Sequence, residues 1–425
     1  MVNDNVKIPS QRWWHILPPC VLIYIVAFID RTNIGLAIAG GMDKTLGLSA
    51  SIAGLASGIF FIGYMILQIP GGNIAEHGDA KKFISFSIVA WGVLSILNGL
   101  VNNTWELLTI RFLLGVAEGG VYPAILVIIT HWFPNEERAR ANGYFAMNFA
   151  IANIIASPFS GWIMSISNWR WVFIIEGIIP FALLLIWYPL ISNFPEEAKW
   201  ISKEELNWIK DELAKENELV EKTASNDDNK IGSIFKTSKL WLLTFTYFFF
   251  QIGIYGFYLW LPTLIKELTK TGIGVVGLLS AVPYIGSMIG IWLFSALSDK
   301  TQKRKLFTVL PMLLFALSLL LSVAFKSNIW VSYAFLVLCG FFVQSYNSSF
   351  WAVPPMIFKS DVAGAARGFI NALGNLGGFV GPYLMGLLAS YFNTNVGIYI
   401  LAISLVIGSI TELIIKLPAE NKSVI

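Results

Sequence analysis

Four charged residues stand in stretches of sequence that are otherwise apolar: Asp30, Arg31, Arg111 and Glu118. Each costs about 2.5–3.5 kcal/mol at the centre of a bilayer, so the set costs on the order of 10 kcal/mol before any pairing. Residues that expensive persist where they face a polar interior and pair there. Arginine keeps its charge and offers a planar fork that grips a carboxylate through two parallel hydrogen bonds. Arg31 and Arg111 are therefore the candidate anion holders, with Arg31 the stronger of the two. A carboxylate set between desolvation and a neighbouring arginine can take up and release a proton. That is the role expected of Asp30 and Glu118. Arg111 and Glu118 are seven apart, two helical turns on one face, with roughly 10 Å of rise between them. They can line one site without touching. Asp30 and Arg31 are adjacent and project about 100° apart, so one can face the site while the other faces a neighbouring helix.

Neutral groups can complete such a site. Tyr64, Tyr255 and Tyr258 carry hydroxyls within apolar runs, "SYNSSFWAVPP" offers Asn347, Ser348 and Trp351, and "RGFINALGNLGGF" offers Asn371 and Asn375. Ser348 and Trp351 are three apart and share a helical face. Hydroxyls, amides and rings of this kind suit the hydroxyls, ring or chain of a small substrate. The ordinary alternative is that they glue membrane helices together.

What must position these residues follows from composition. The chain has 425 residues, 56% hydrophobic and 13% charged, where a soluble domain carries roughly 25% charge. That balance excludes a disordered chain, a nucleic-acid binder and an ordinary soluble enzyme. Cys20 and Cys339 both lie in apolar runs, which excludes a disulfide framework and a Cys/His zinc site. The three histidines are scattered at span ends, so no metal site is expected. With no nucleophile-and-base set and no phosphate loop, neither enzymatic activity nor a cofactor is expected.

Twelve apolar windows are long enough to cross a ~30 Å hydrocarbon core. The first six run from 14–38 to 170–192 and the last six from 239–265 to 394–416. They are continuously apolar, so they predict helices rather than a barrel. No cleavable signal peptide is expected, because the first span carries Asp30 and Arg31 and no small-residue cleavage site. Lysine and arginine set the orientation. With the N-terminus inside, 22 of the 29 basic residues fall in cytoplasmic segments, five in outer loops and two within spans. Both termini are thus expected in the cytoplasm.

The predicted division is 1–192, a six-helix bundle; 193–238, a cytoplasmic linker; and 239–425, a second bundle. In the linker, "SKEELNWIKDELAKENEL" predicts an amphipathic helix, opened by a capping box of Ser202 and Glu205, with Leu206, Ile209 and Leu213 at helical spacing. A solvated helix lying on the membrane face is expected. The halves echo each other. "GGNIAEHGDAKK" follows the second span and "FSALSDKTQKRK" ends the eighth, each placing an acid (Glu76, Asp299) ahead of a basic cluster (Lys81, Arg304). Duplicated halves are a signature of secondary transporters. Among the remaining charges, Glu176 is expected to pair with Arg170 near the outer surface, and Glu412 with Lys416 one turn on.

The first of those loops resembles the major facilitator superfamily signature G-x-L-A-D-R-x-G-R-K, with Glu76 for the aspartate, His77 for the arginine and Asp79 for the second glycine. Four further strings, "FIDRTNIGLA", "RFLLGVAEGGVYPA", "HWFPNEERARANG" and "NWRWVFIIEG", resemble the anion:cation symporter branch. The resemblance implies an all-α fold of twelve transmembrane helices in two six-helix bundles, in the plasma membrane. It implies Glu76, Lys81, Asp299 and Arg304 as gate residues. It implies import of an organic anion (a sugar acid, tartrate, phthalate or aromatic acid) with protons, sodium being the alternative ion. It also places a cavity-facing arginine at Arg31 and an arginine and a glutamate at Arg111 and Glu118. A monomer surrounded by lipid is expected. The rivals are an efflux antiporter of the same fold, whose hydrophobic or cationic cargo fits two arginines badly, and a transporter-like sensor.

Overall fold

The computed structural model describes residues 10–223, 235–358 and 360–416. Twelve helical stretches are long and apolar enough to span a membrane. In chain order with the linker helix they are α1 Gln11–Leu46, α2 Ala50–His77, α3 Ala80–Leu100, α4 Thr104–Trp132, α5 Glu136–Ile166, α6 Trp169–Leu190, α7 Lys203–Thr223, α8 Ser238–Thr269, α9 Ile273–Thr301, α10 Arg304–Ala324, α11 Ile329–Ile357, α12 Ala366–Tyr391 and α13 Thr394–Ile414. Large apolar side chains point outward along them. Ile69, Phe86, Leu185 and Trp292 are each more than 70% exposed, as befits a surface solvated by hydrocarbon rather than water.

Caps mark where the helices start. Asn103, Asn168, Asn328 and Asn393 each accept a hydrogen bond from a backbone N–H in the first turn of α4, α6, α11 and α13. Each such cap contributes about 1 kcal/mol. Their positions repeat between the halves: the fourth span matches the tenth, and the sixth matches the twelfth. Helix α1 is interrupted at Ile38–Met42, where Gly41 takes φ 106°, a conformation that disfavours any residue with a Cβ.

Within the first six spans α2 packs on α4, α3 on α6, and α1 on α5 and α6; within the last six α8 packs on α12 and α13, and α10 on α11 and α13. The two sets meet along three seams, α1 with α8, α2 with α12 and α5 with α9. Where the start of α2 meets the end of α12, Ser51 hydrogen-bonds Ser390 through both its N–H (2.8 Å) and its hydroxyl (3.0 Å). Lys266 donates to the Ala39 carbonyl. Gly54 lies so close to the Pro382 carbonyl that a Cβ would collide with it, and Gly277 meets the Ser157 carbonyl in the same way. Small residues let backbones touch where apolar burial offers no driving force.

The linker helix is not a free amphipathic helix on the membrane face. It docks on the first half. Ser202 caps it, accepting from the Glu205 N–H at 3.2 Å, as the capping box predicts. The Glu205 carboxylate, however, is fully buried and binds Arg12 Nη1 at 2.6 Å together with the N–H groups of Gln11 and Arg12. Arg12 also reaches Glu137 at 2.6 Å, and Arg138 forms a two-pronged pair with Glu216 at 2.7 and 3.0 Å. Trp200 stacks on Trp132, ring centres 5.0 Å apart.

Candidate functional site

Of the charged residues singled out in the sequence, Arg31, Arg111 and Glu118 lie where α1, α2 and α4 meet. Arg31 is 3% exposed and its guanidinium sits among four rings: Tyr64 at 4.4 Å, Phe60 at 5.2 Å, Phe28 at 5.3 Å and Tyr24 at 5.9 Å. A desolvated cation over an aromatic face gains about 2 kcal/mol. Nη2 lies 3.5 Å from Glu118 Oε2, while Nε and Nη2 make no hydrogen bond and neither Glu118 oxygen accepts one. Tyr255 on α8 brings its hydroxyl close to the same guanidinium and its ring to 4.3 Å from Phe61. The Tyr64 hydroxyl bonds that of Tyr24 at 3.0 Å. An arginine and a glutamate, close but unsatisfied, with tyrosines around them, form a site with donors to offer.

Arg111 departs from expectation. It is fully buried, and its fork is occupied by backbone: Nη1 donates to the Asp30 carbonyl (3.1 Å), Nη2 to that of Arg31 (3.3 Å) and Nε to that of Ala56 (3.4 Å). It clamps α4 to α1 and α2 beneath Arg31 and does not present its fork to an anion. Asp30 and Arg31 diverge as their spacing anticipates. Asp30 turns to α3, accepting from Ser95 Oγ at 2.7 Å. Glu176 was expected beside Arg170 and is instead 1% exposed, accepting from Ser160 Oγ (2.5 Å) and Asn33 Nδ2 (2.8 Å). Arg170 donates to the Gly99 and Val101 carbonyls. Glu412, expected to pair with Lys416, is also fully buried, and Lys416 lies beyond the end of α13.

The second half contributes a neutral cluster. Gln251 Nε2 donates to the Tyr247 hydroxyl (3.0 Å) and to Asn375 Oδ1 (3.1 Å); Asn375 donates to Asn371 (3.2 Å); Asn371 donates across the seam to Gln68 Oε1 on α2 (3.3 Å). Trp351 joins it with its ring 5.1 Å from that of Tyr247. Asn347 is half-buried in a short turn of helix. Ser348 does not join the cluster: it is exposed and bonds Ser295 on α9 at 2.6 Å. The sequence reading missed Tyr24, Asn33, Gln68, Tyr247 and Gln251. Helical spacing was the available signal, since Tyr24 is seven before Arg31 and Gln68 four after Tyr64.

The gate loops also differ from each other. Arg304 pairs with Asp299 and donates to Ser298 Oγ at 3.0 Å. Glu76 is exposed and forms no ion pair among the described residues. The neighbouring Asp79 is the acid that makes contacts there: it caps α3 through the Lys82 N–H (3.0 Å), accepts from Asn193 Nδ2 (2.8 Å) and pairs with Lys82 Nζ (3.2 Å). Burial pushes the Asp79 carboxyl up, but the Asn193 and Lys82 contacts outweigh it and hold the group below its ordinary value. Lys81 packs its ammonium over the Tyr188 ring at 4.5 Å.

The sequence profile described as Major Facilitator Superfamily matches residues 20–272 and again 265–424. The chain belongs to the major facilitator superfamily. It is a multi-pass protein of the cytoplasmic membrane and not an enzyme. Among similar superfamily proteins, a quinolone resistance transporter of Acinetobacter baumannii is 31% identical over 96% of this chain and 94% of its own. A putative tartrate transporter of Agrobacterium vitis is 32% identical over 96% of this chain and 94% of its own. The fold is shared with a bacterial homologue of the human lysosomal transporter Spinster, solved in an inward-facing, occupied conformation. Its TM-score is 0.76 at 18% identity, covering 95% of this chain and 97% of that one.

Proposed function

We propose that the protein is a proton-coupled symporter that imports a small organic anion, a carboxylate such as a sugar acid, tartrate or an aromatic acid, by alternating access. The observation that carries this reading is the Arg31 guanidinium, caged by four rings, 3.5 Å from Glu118 and with donors unused. A substrate carboxylate and the Glu118 carboxylate compete for one fork. A proton on Glu118 removes the competitor, so proton and anion load together. Loss of that proton restores the ion pair and expels the anion. Tyr64 and Tyr255 border the fork; Asn371 and Trp351 supply neutral contacts from the other half. Residues 1–192 and 239–425 rock about this site, with 193–238 between them and both termini cytoplasmic, as the lysine distribution indicates. Asp299 with Arg304, and Lys81 with Asp79 in the place of Glu76, brace the loops during that motion.

The relative named for tartrate transport supports this reading. The relative named for quinolone resistance favours a second one, export by antiport. Proteoliposomes holding the purified protein and an inward proton gradient separate the two. Accumulation of a labelled carboxylate, with loss of external protons and abolition by a protonophore, is expected. Sodium-driven accumulation would replace the coupling ion. Quinolone movement against a proton flux, without carboxylate uptake, would overturn import.

A further inference from the structure

A second group of carboxylates lies outside the Arg31 site. Asp30 on α1 and Glu176 on α6 are 0% and 1% exposed, and one side-chain nitrogen reaches both: Asn33 Nδ2 is 2.8 Å from Glu176 Oε2 and 3.5 Å from Asp30 Oδ1. The other donors are also neutral, Ser95 to Asp30 Oδ1 and Ser160 to Glu176 Oε1. Among the described residues no arginine or lysine forms an ion pair with either acid. The charged groups around them are few. On α1 Arg31 turns away into its ring cage, where Glu118 faces it; on α4 Arg111 donates to the backbone carbonyl of Asp30 and acts on the Asp30 carboxylate across space without pairing with it directly. On α6 Arg170 is engaged with the α3 terminus. The elements α3 and α5 face the pair with Ser95 and Ser160. Arg111 can balance one of the two ionised carboxylates, and among the described residues no cation reaches Glu176, so the buried pair needs a proton. The hydrogen-bond count agrees: Asp30 Oδ2 and Asn33 Oδ1 are buried acceptors with no donor. The cluster is short of hydrogens.

We propose that Glu176 is a second proton-carrying residue, sharing a proton with Asp30 across Asn33, on the side of α1 away from the anion fork. It rests on the proton-coupled reading only for the use made of that proton; its existence is testable without substrate. Two acids bridged by one amide titrate as a pair, in two steps. The probe is the proton itself: infrared difference spectra of the purified full chain, titrated above the range of exposed carboxylates, following the carbonyl stretch of protonated carboxyls. Glu176→Gln can accept from Asn33 through its oxygen and donate to the Ser160 oxygen through its nitrogen, and should remove one step and leave the other. Asp30→Asn should do the reciprocal, and Glu176→Asp should restore two steps. Ser160→Ala keeps both acids and should move the steps of the pair. The proposal falls if wild-type and Glu176→Gln spectra superimpose, if Glu176 stays protonated throughout whatever stands at position 30, or if Ser160→Ala changes nothing. If the titration is present and no carboxylate uptake is found, the transport reading fails and the proton site stands.

Discussion

The two halves of the protein share a helix plan and differ in chemistry. The family profile matches both, and paired asparagine caps recur at the starts of the fourth and tenth and of the sixth and twelfth spans. Yet the cluster in the first half is ionic (Asp30, Arg31, Arg111, Glu118 and Glu176), whereas the cluster in the second is built from Tyr247, Gln251, Asn371 and Asn375, all neutral. Duplication preserved what membrane insertion demands, namely span lengths, caps and small-residue seams. It left the buried charges to one half, to which the proposed function gives the anion and the proton, while the other offers rings and amides. On this division a substitution in the first half should change whether substrate and protons move, and one in the second should change how well they do.

Arg31→Gln tests the division most severely. It removes the only side-chain fork with unused donors in the ring cage, and truncating one partner of a buried charge pair costs about 2–5 kcal/mol. Carboxylate uptake should fall about a hundredfold or more, at 1.4 kcal/mol per decade. Arg31→Lys should recover little of it, because a compact ammonium lacks the planar fork. Retained uptake in Arg31→Gln, measured in proteoliposomes at matched protein density, would move the anion site elsewhere.

A stoichiometric consequence comes next in size. If Asp30 and Glu118 each deliver a proton alongside one monoanion, net charge +1 moves inward, worth about 2.3 kcal/mol per 100 mV. Collapsing the membrane potential while the pH gradient is held should then lower steady-state accumulation some tens-fold. An unchanged level would reduce the coupling to one proton.

Arg111 sharpens the contrast inside the first half. Its three bonds to the carbonyls of Asp30, Arg31 and Ala56 make it a brace. Arg111→Lys cannot reach all three acceptors, and losing one bond from a charged donor costs about 2 kcal/mol. Thermal unfolding in detergent should show that loss, while substrate affinity of the folded fraction stays within about threefold. A variant of wild-type stability that no longer binds carboxylate would return Arg111 to the anion site.

These cases also show how far the sequence could be read. Spans were legible because a bilayer requires long apolar runs, and Arg31 and Glu118 because a charge inside such a run stands out. The direction of a side chain was not. Arg170 and Glu176 are six positions apart, and at about 100° per residue they project to different faces, so nearness in sequence suggested a pair that the helix forbids. The Arg111 clamp depends on carbonyls contributed by two other helices, which no spacing within α4 reveals. Neutral residues such as Gln68 and Gln251 escaped because an amide in a membrane helix is ordinary. The linker helix was recognised, but its docking hangs on Arg12, nearly two hundred residues away in the chain.

The smallest expected effect lies in the second half. Asn371 Nδ2 is bonded to Gln68 Oε1 across the seam between α2 and α12, and on the proposed alternating access this contact would lengthen or re-form as the halves rock. Hydrogen bonds between membrane helices average about 0.6 kcal/mol, because the broken partners find others. Asn371→Leu should therefore shift the balance of conformations by about threefold, altering the rate of net uptake relative to substrate exchange. The number of protons moved per anion should stay as in the wild type, since no ionisable group in the Arg31 or Glu176 cluster is touched. A changed proton count in Asn371→Leu would mean that the neutral cluster takes part in coupling, and the separation of roles between the halves would be lost.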